Sequence, residues 1–338
     1  MLRLYYKKLI IFKMVIDNFV KKVIENDGKI YPLVFPTDNK TALFNPSILI
    51  HNDEILINIR HCQYTLYHTS GKFESRYGPL CYLNPENDVS LTTTNYLSNW
   101  KDGELINPTK IDTSNFDVKP LWEFVGLEDA RLVEWNNNVY LTGVRRDTTT
   151  NGVGRMELSE IAVINNTIKE ISRFRIPTPF NKDSYCEKNW MPILDMPFHY
   201  VKWCNPVEIV KVNIGGDTEQ VFMGDKILPI EKDMRGGSQV ITIGEHRMCV
   251  IHETDYWRNA QNNKDATYRH RIIVFDKNWD IIHRNESFDF MTGMIEFCCG
   301  IAEYKDNILI TFAYSDNAAF LLEIPKDYFL KFVYEGIK

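Results

Sequence analysis

The chain has 338 residues, 44% of them apolar and 13% aromatic, enough to bury one large core or two modest ones, which excludes a disordered chain. Its 39 Lys and Arg against 45 Asp and Glu give a net charge of -6, and no basic run could neutralise a phosphate backbone, so nucleic acid is not an expected partner. The apolar runs fall far below the roughly 18 residues of a membrane span, so no span is expected either.

At the N-terminus Arg3, Lys7 and Lys8 precede the apolar Leu9 to Phe12 and imitate a secretory signal. Lys13 interrupts the stretch, Asp17 follows it, and no small-x-small cleavage site is present, so the segment fails as a signal. From Val15 onward Val15, Ile16, Phe19, Val20, Val23 and Ile24 recur at helical spacing with polar residues between them and Gly28 as a stop. This predicts an amphipathic helix packed on the domain, with a membrane-surface role as the alternative. Residues 1–38 are expected to form this N-terminal extension and residues 39–338 a catalytic domain.

Beyond it one pattern occurs five times: an apolar strand, a short polar turn, and a second apolar strand ending in polar or aromatic residues. The copies run from residue 47 to 60, 131 to 145, 192 to 203, 239 to 253 and 300 to 314, with turns near Asp53, Asn137, Pro197, Glu245 and Asp306. The turns are 84, 60, 48 and 61 residues apart, about the length of a four-stranded blade with its loops. Period-2 alternation is clear in these segments, whereas helical periodicity is clear only near residues 15 to 27. These repeats predict an all-β, five-bladed β-propeller, with a β-sandwich of accidentally similar hairpins as the alternative. Function in a propeller concentrates where the innermost strands and their loops surround the channel.

Just before the second copy, Gly126-Leu127-Glu128-Asp129-Ala130-Arg131 places two acids and a base within four residues at the mouth of an inner strand. On an extended chain Asp129 and Arg131 point the same way, so the arginine can fix the carboxylate, and a partly buried carboxyl among sugar hydroxyls suits general acid work. A surface salt bridge is the plainer alternative. Before the fourth copy, Arg235-Gly236-Gly237-Ser238 lets backbone approach a ligand, with Ser238 and the arginine able to bind a phosphate or diphosphate. His252-Glu253 and an aromatic and basic insertion around Tyr256-Trp257-Arg258 and Tyr268 to Arg271 follow it, suited to a nucleotide or a longer glycan.

Seven cysteines are scattered without Cys-x-x-Cys spacing, which argues against a disulfide framework and a structural zinc site and points to a reducing, cytoplasmic setting. The sequons at Asn39, Asn165 and Asn285 then read as chance. Cys298-Cys299 reads as a buried pair of small apolar residues rather than a nucleophile. The eight histidines, His68 among them, stand singly, so no metal is expected, and no cofactor.

Gly-x-Glu-Asp-x-Arg followed by an apolar strand, a turn and Tyr140-Leu141-Thr142 resembles the signature of the β-mannoside phosphorylases and hydrolases, five-bladed propellers of the inverting glycosidase class. Three further segments carry the resemblance: Phe44-Asn45-Pro46 through Arg60, Glu187-Lys188-Asn189, and Cys299-Gly300 through Tyr314-Ser315-Asp316. The ordered set covers roughly residues 40 to 325. The resemblance implies that Asp129 is the proton donor, acting through a hydroxyl of the bound sugar, with Asn45, Arg60, Arg131 and Asp316 holding that sugar. It also implies that Glu128, Lys188, Asn189 and Tyr314 belong to the substrate pocket, and His252, from the fourth blade, is expected to converge with them on one end of the channel.

Departures bear on the reaction. Ala130 replaces the family's usual proline, and Cys204-Asn205-Pro206 stands where phosphorylases place a His-Arg-Pro that helps bind phosphate, although Arg145, Arg146 and Lys188 could supply positive charge. Arg235-Gly-Gly-Ser238 resembles the related mannosyltransferase-phosphorylases. The reading is therefore an inverting glycosyltransferase on mannose-type sugars with a sugar nucleotide or sugar phosphate donor and a glycan acceptor, a homo-oligomer being allowed. A β-mannoside phosphorylase or hydrolase is the alternative within enzymes, needing Glu187, Glu253 or Glu296 to activate water if it is a hydrolase. A noncatalytic glycan-binding propeller is the alternative of a different class.

Overall fold

The computed structural model describes residues 18–37, 42–62, 64–67, 81–83, 91–181, 186–228, 233–258 and 264–335. Residues 1–17, with the apolar Leu9 to Phe12 and Val15-Ile16, lie outside this set, as do Asn39 and His68.

The five predicted hairpins are the two inner strands of five antiparallel blades, and the fold is a five-bladed β-propeller. From the channel outward, blade 1 runs Leu43–His51, Glu54–Cys62, Leu91–Lys101 and Glu104–Lys110. Blade 2 runs Glu128–Trp135, Asn138–Arg145, Arg155–Ile164 and Thr167–Arg175, and blade 3 Met191–Pro192, His199–Cys204, Val207–Val212 and Thr218–Met223. Blade 4 opens with Asp233–Arg235 and Ile241–Ile243, both paired to His246–Arg258, then Lys264–Phe275 and Ile281–Arg284. Blade 5 runs Glu296–Tyr304, Asn307–Tyr314 and Ala318–Pro325, and its outermost strand is Lys29–Pro32, which pairs antiparallel with Phe320 to Glu323. The strand Lys29–Pro32, inside the span read as an extension, thus completes the last blade.

Alternation explains the packing. Ile48 faces blade 5 while Leu49 faces blade 2, and in blade 2 Leu132 turns to blade 1 while Val133 turns to blade 3. Successive side chains feed opposite interfaces, so inner strands buried on both faces carry nearly continuous apolar runs. At the axis Gln239 of blade 4, fully buried, donates from Nε2 to the carbonyls of Ile48 (2.7 Å) and Leu132 (2.8 Å) and accepts at Oε1 from the Ile301 amide (3.2 Å). One side chain joins blades 1, 2, 4 and 5 this way.

The predicted amphipathic helix is α1, Phe19–Ile24, capped by Asn18, whose Oδ1 accepts from the Lys21 amide. It buries Phe19, Val20 and Val23. A second helix, α2 (Lys326–Glu335), has no clear mark in the sequence, because its buried Tyr328, Phe329, Phe332 and Val333 are aromatic or β-branched and follow a strand directly. The Phe19 and Phe332 rings meet at 4.4 Å, and both helices seal the interface of blades 4 and 5. No helix among the described residues is long and apolar enough to cross a membrane. Asn285 is buried, its Oδ1 accepting from the Ile272 amide, a position closed to a glycan.

Candidate active site

The channel end where the inner strands begin is built from strained backbone. Asn45, Asp129, Asn189 and Asp316 all sit at positive φ (45°, 52°, 62° and 46°), a region that Asn and Asp enter most readily among residues with a side chain. Strand register shifts between Phe44 and Ser47, between Thr142 and Val144 opposite Asp129, and between Cys298 and Gly300. Each is a bulge that breaks the alternation and re-aims side chains at the strand's start.

For this reason the expected Arg131 clamp on the Asp129 carboxylate does not form. Arg131, with no exposed surface, donates instead to the Asp129 backbone carbonyl (2.5 Å), the Gly237 carbonyl (2.8 Å) and Asn189 Oδ1 (3.4 Å). It is a positioning residue that ties the blade 2 bulge to blades 3 and 4. The carboxylate is held by blade 1: Arg60 Nη1 and Asn45 Nδ2 each donate to Asp129 Oδ1 at 2.6 Å. Both bonds fall on one oxygen, Oδ1. Arg60 is fixed in turn by Tyr64 Oη (2.6 Å), Thr93 Oγ1 (3.2 Å) and Glu128 Oε2 (3.4 Å).

Electrostatics divides the two aspartates. Burial alone would raise the Asp129 pKa, but Arg60, Lys188 and Arg131, with the Asn45 hydrogen bond, hold it below the usual carboxyl value. At Asp316 burial and the neighbouring Asp129 charge outweigh Arg60 and Lys188 and push the pKa up to about 6. Asp129 stays ionised into the acid range while Asp316 keeps its proton up to about pH 6, the kind of separation that assigns different tasks to two acids. Because the folded pKa of Asp316 lies above the unfolded value, its stabilising contribution is present below about pH 4 and lost as pH rises through about 6. Asp316→Asn is therefore expected to raise the melting temperature by about 2–6 °C at pH 8 and to leave it unchanged at pH 4. Equal effects at both pH values in a thermal-denaturation series would contradict this electrostatic account.

The blade 4 wall carries the remaining groups. His252 is buried, its Nδ1 2.9 Å from the Gly236 carbonyl and its ring 5.0 Å from those of Tyr268 and Phe297. Burial, with His270, Lys188 and Arg235 close by, drives its pKa well below the ordinary value, so the ring is neutral. The hairpin of His246–Arg258 and Lys264–Phe275 stays paired out to Arg258 and Lys264, well past Arg235, which pairs with His252. On it stand Tyr256 and Trp257, 44% and 41% exposed, and the Arg235 guanidinium lies 5.7 Å from the Tyr256 ring while binding Asp233 (2.7 Å). Tyr268 feels both Asp316 and Asp129, which with burial raise its pKa.

The structure does not bring every expected residue to this cluster. Ser238 is fully buried, its hydroxyl donating to the Gln239 carbonyl and accepting from the Val250 amide. Arg145 is consumed by Asp147 (3.1 Å) and Glu157 (2.8 Å) inside blade 2. Tyr314 lies at the same channel end, in register with Glu296. The three glutamates that could have activated water are engaged: Glu296 accepts from the Phe290, Met291 and Gly293 amides, Glu253 pairs with Arg271 (2.6 Å), and Glu187 accepts from Trp190 Nε1. At the departure in blade 3, Cys204 is buried in the interface with blade 4 and Asn205 clasps the Leu228 backbone. Cys298 and Cys299 are buried, and burial pushes the Cys298 thiol up to about 12. Among the described residues no group of three or more His, Cys, Asp or Glu is arranged to hold a metal.

Sequence reasoning missed Tyr64 and Gly143. A glycine inside a strand signals close backbone approach, and a Cβ on Gly143 would lie 2.5 Å from the Glu128 carbonyl oxygen. Gly143→Ala is expected to cost about 1–3 kcal/mol in urea denaturation and to depress turnover by shifting the Asp129 bulge. Unchanged turnover would detach Gly143 from the site.

No family model matches the chain, and no curated protein matches it. Among solved structures it is similar to the β-1,2-mannobiose phosphorylase of Listeria innocua, with 12% identity, a TM-score of 0.53, and coverage of 90% of this chain and 96% of that one. A glycosyl hydrolase from Bacteroides ovatus is similar at 12% identity and a TM-score of 0.55, covering 85% of each chain.

Proposed function

We propose that this chain is an inverting glycosyl-transfer enzyme on mannose-type sugars, taking a sugar nucleotide or sugar phosphate as donor. The observation that carries the reading is Asp129, held ionised with one oxygen tied to Arg60 and Asn45 and the other left for substrate. An ionised carboxylate is a base. It takes the proton of an acceptor hydroxyl as that oxygen bonds to the sugar's anomeric carbon, and the bond to the leaving phosphate breaks on the opposite face. A phosphate leaving group needs cations rather than a proton, and Lys188 and Arg235 supply them. Tyr256 and Trp257 offer a stacking surface for a nucleoside base or a glycan. The fold shared with a mannobiose phosphorylase and the ordered motifs of residues 40 to 325 support the sugar class.

A second reading, a β-mannoside phosphorylase or hydrolase, is favoured by the proton that Asp316 retains up to about pH 6. The pH dependence of kcat/KM separates the two. Transfer through ionised Asp129 is expected to keep its acid limb below the ordinary carboxyl range and to show no alkaline limb near 6. An acid role for Asp316 places an alkaline limb at about 6. Donor choice gives the parallel test: a mannose-type sugar nucleotide or its nucleoside diphosphate is expected to raise the melting temperature more than inorganic phosphate at equal concentration. Stabilisation by phosphate alone would transfer the assignment to phosphorolysis.

A further inference from the structure

Tyr268 stands in the blade 4 wall with a hydroxyl that nothing in the protein uses. Its amide donates to the Met294 carbonyl (2.8 Å), and the following carbonyl, that of Ile295, accepts from the Ser315 amide (2.7 Å). Two backbone bonds thus tie Tyr268 to the segment that carries Asp316. The residue is half-buried and its ring packs on that of His252 at 5.0 Å. Its hydroxyl has no hydrogen-bond partner among the described residues, and the oxygen is not shut from solvent. The Asp316 carboxyl likewise takes no hydrogen bond among the described residues. Asp129, Asn45 and Arg60 are tied to one another, so these two neighbours are the polar groups of the cluster left open to a ligand.

Strand register fixes what lies on either side of Tyr268. His252 pairs with His270, Thr254 with Tyr268 and Tyr256 with Ala266, without a shift, so all six side chains share one face of the hairpin. From the channel outward the rings follow in the order His252, Tyr268, Tyr256. Tyr268 therefore stands between the aspartates and the outer surface made by Arg235 and Tyr256, where a sugar in the pocket presents its outward edge. Burial and the Asp316 charge hold its pKa above the ordinary tyrosine value, so the hydroxyl keeps its proton and can donate.

We propose that Tyr268 is a specificity determinant of this pocket, its hydroxyl donating a hydrogen bond to one hydroxyl of the bound sugar. The inference rests on the mannose-type reading of the site. It names a recognition contact, which holds whether or not the sugar is then transferred.

The test is calorimetric titration of wild type and Tyr268→Phe with mannose and with each of its monodeoxy derivatives. Phenylalanine keeps the ring against His252, and the melting temperature is expected to stay unchanged. Mannose is expected to bind the variant about fivefold to tenfold more weakly, the worth of one neutral hydrogen bond. One deoxy sugar, lacking the hydroxyl that Tyr268 meets, is expected to bind both proteins equally, while the others keep the full difference. A general loss of fold would instead weaken every ligand alike. Equal mannose affinity in the two proteins, or a loss that persists against every deoxy sugar, would overturn the contact. A wild type that binds none of these sugars would overturn the mannose-type reading and this contact with it, whereas sugar binding without turnover would count against the transfer step alone.

Discussion

Asp129→Asn is expected to lower turnover by about 10²- to 10⁴-fold, the range for a lost proton transfer, with sugar affinity nearly unchanged. The geometry makes the substitution clean. Arg60 and Asn45 both donate to Oδ1, so the asparagine must keep its carbonyl oxygen there and present its amide where Oδ2 stood. A substrate hydroxyl would then meet a donor instead of an acceptor. Arg60 stays neutralised in part by Glu128 at 3.4 Å, which limits the structural cost. Single-turnover rates and calorimetric sugar binding, measured side by side, give the decisive comparison. Wild-type turnover in the variant would remove Asp129 from the chemistry and favour a glycan-binding propeller.

Gln239→Ala carries the largest expected stability loss, about 3–5 kcal/mol. Its side chain serves three backbone groups of three other blades, each bond contributes about 1 kcal/mol, and a buried carbonyl left unpaired costs about 1–3 kcal/mol more. Urea denaturation should show the midpoint falling, and a loss below about 1 kcal/mol would mean that water replaces the amide at no cost. Ser47→Ala is the milder comparison, since Ser47 Oγ receives a single amide, that of Leu132.

The blades are legible in the sequence because the inner hairpins repeat two apolar strands around a short turn, which in blades 1 and 2 uses residues suited to positive φ, Asn52-Asp53 and Asn136-Asn137. Pairing of Lys29–Pro32 with Phe320 to Glu323 is not, since a short strand carries no mark of a partner so distant in sequence. At the site the motif locates Asp129, Arg60 and Asn45 together, yet alternation misassigns Arg131, because one residue at positive φ reverses the facing of its successors along the strand. Ser238 shows the opposite limit. A glycine-rich segment that could cradle a ligand instead lets two backbones meet, and a Cβ on Gly237 would lie 2.3 Å from the Val250 carbonyl oxygen. Nor does spacing reveal how Asp316 titrates, which depends on charges from other blades.

The strand Lys29–Pro32, as the outer edge of blade 5, imposes an order of assembly during synthesis. Its partners Phe320 to Glu323 are made nearly 300 residues later, a wait of roughly 15–60 s at ribosomal elongation rates. Through that interval the early blades can form hairpin by hairpin, while the ring lacks its seam and this strand stays without its edge partner. Closure is then a single long-range event with a heavy loop-entropy cost, the kind of step that sets folding speed. The nascent chain accordingly spends its longest vulnerable period with blades made and the circle open, which is when a chaperone would have most to hold.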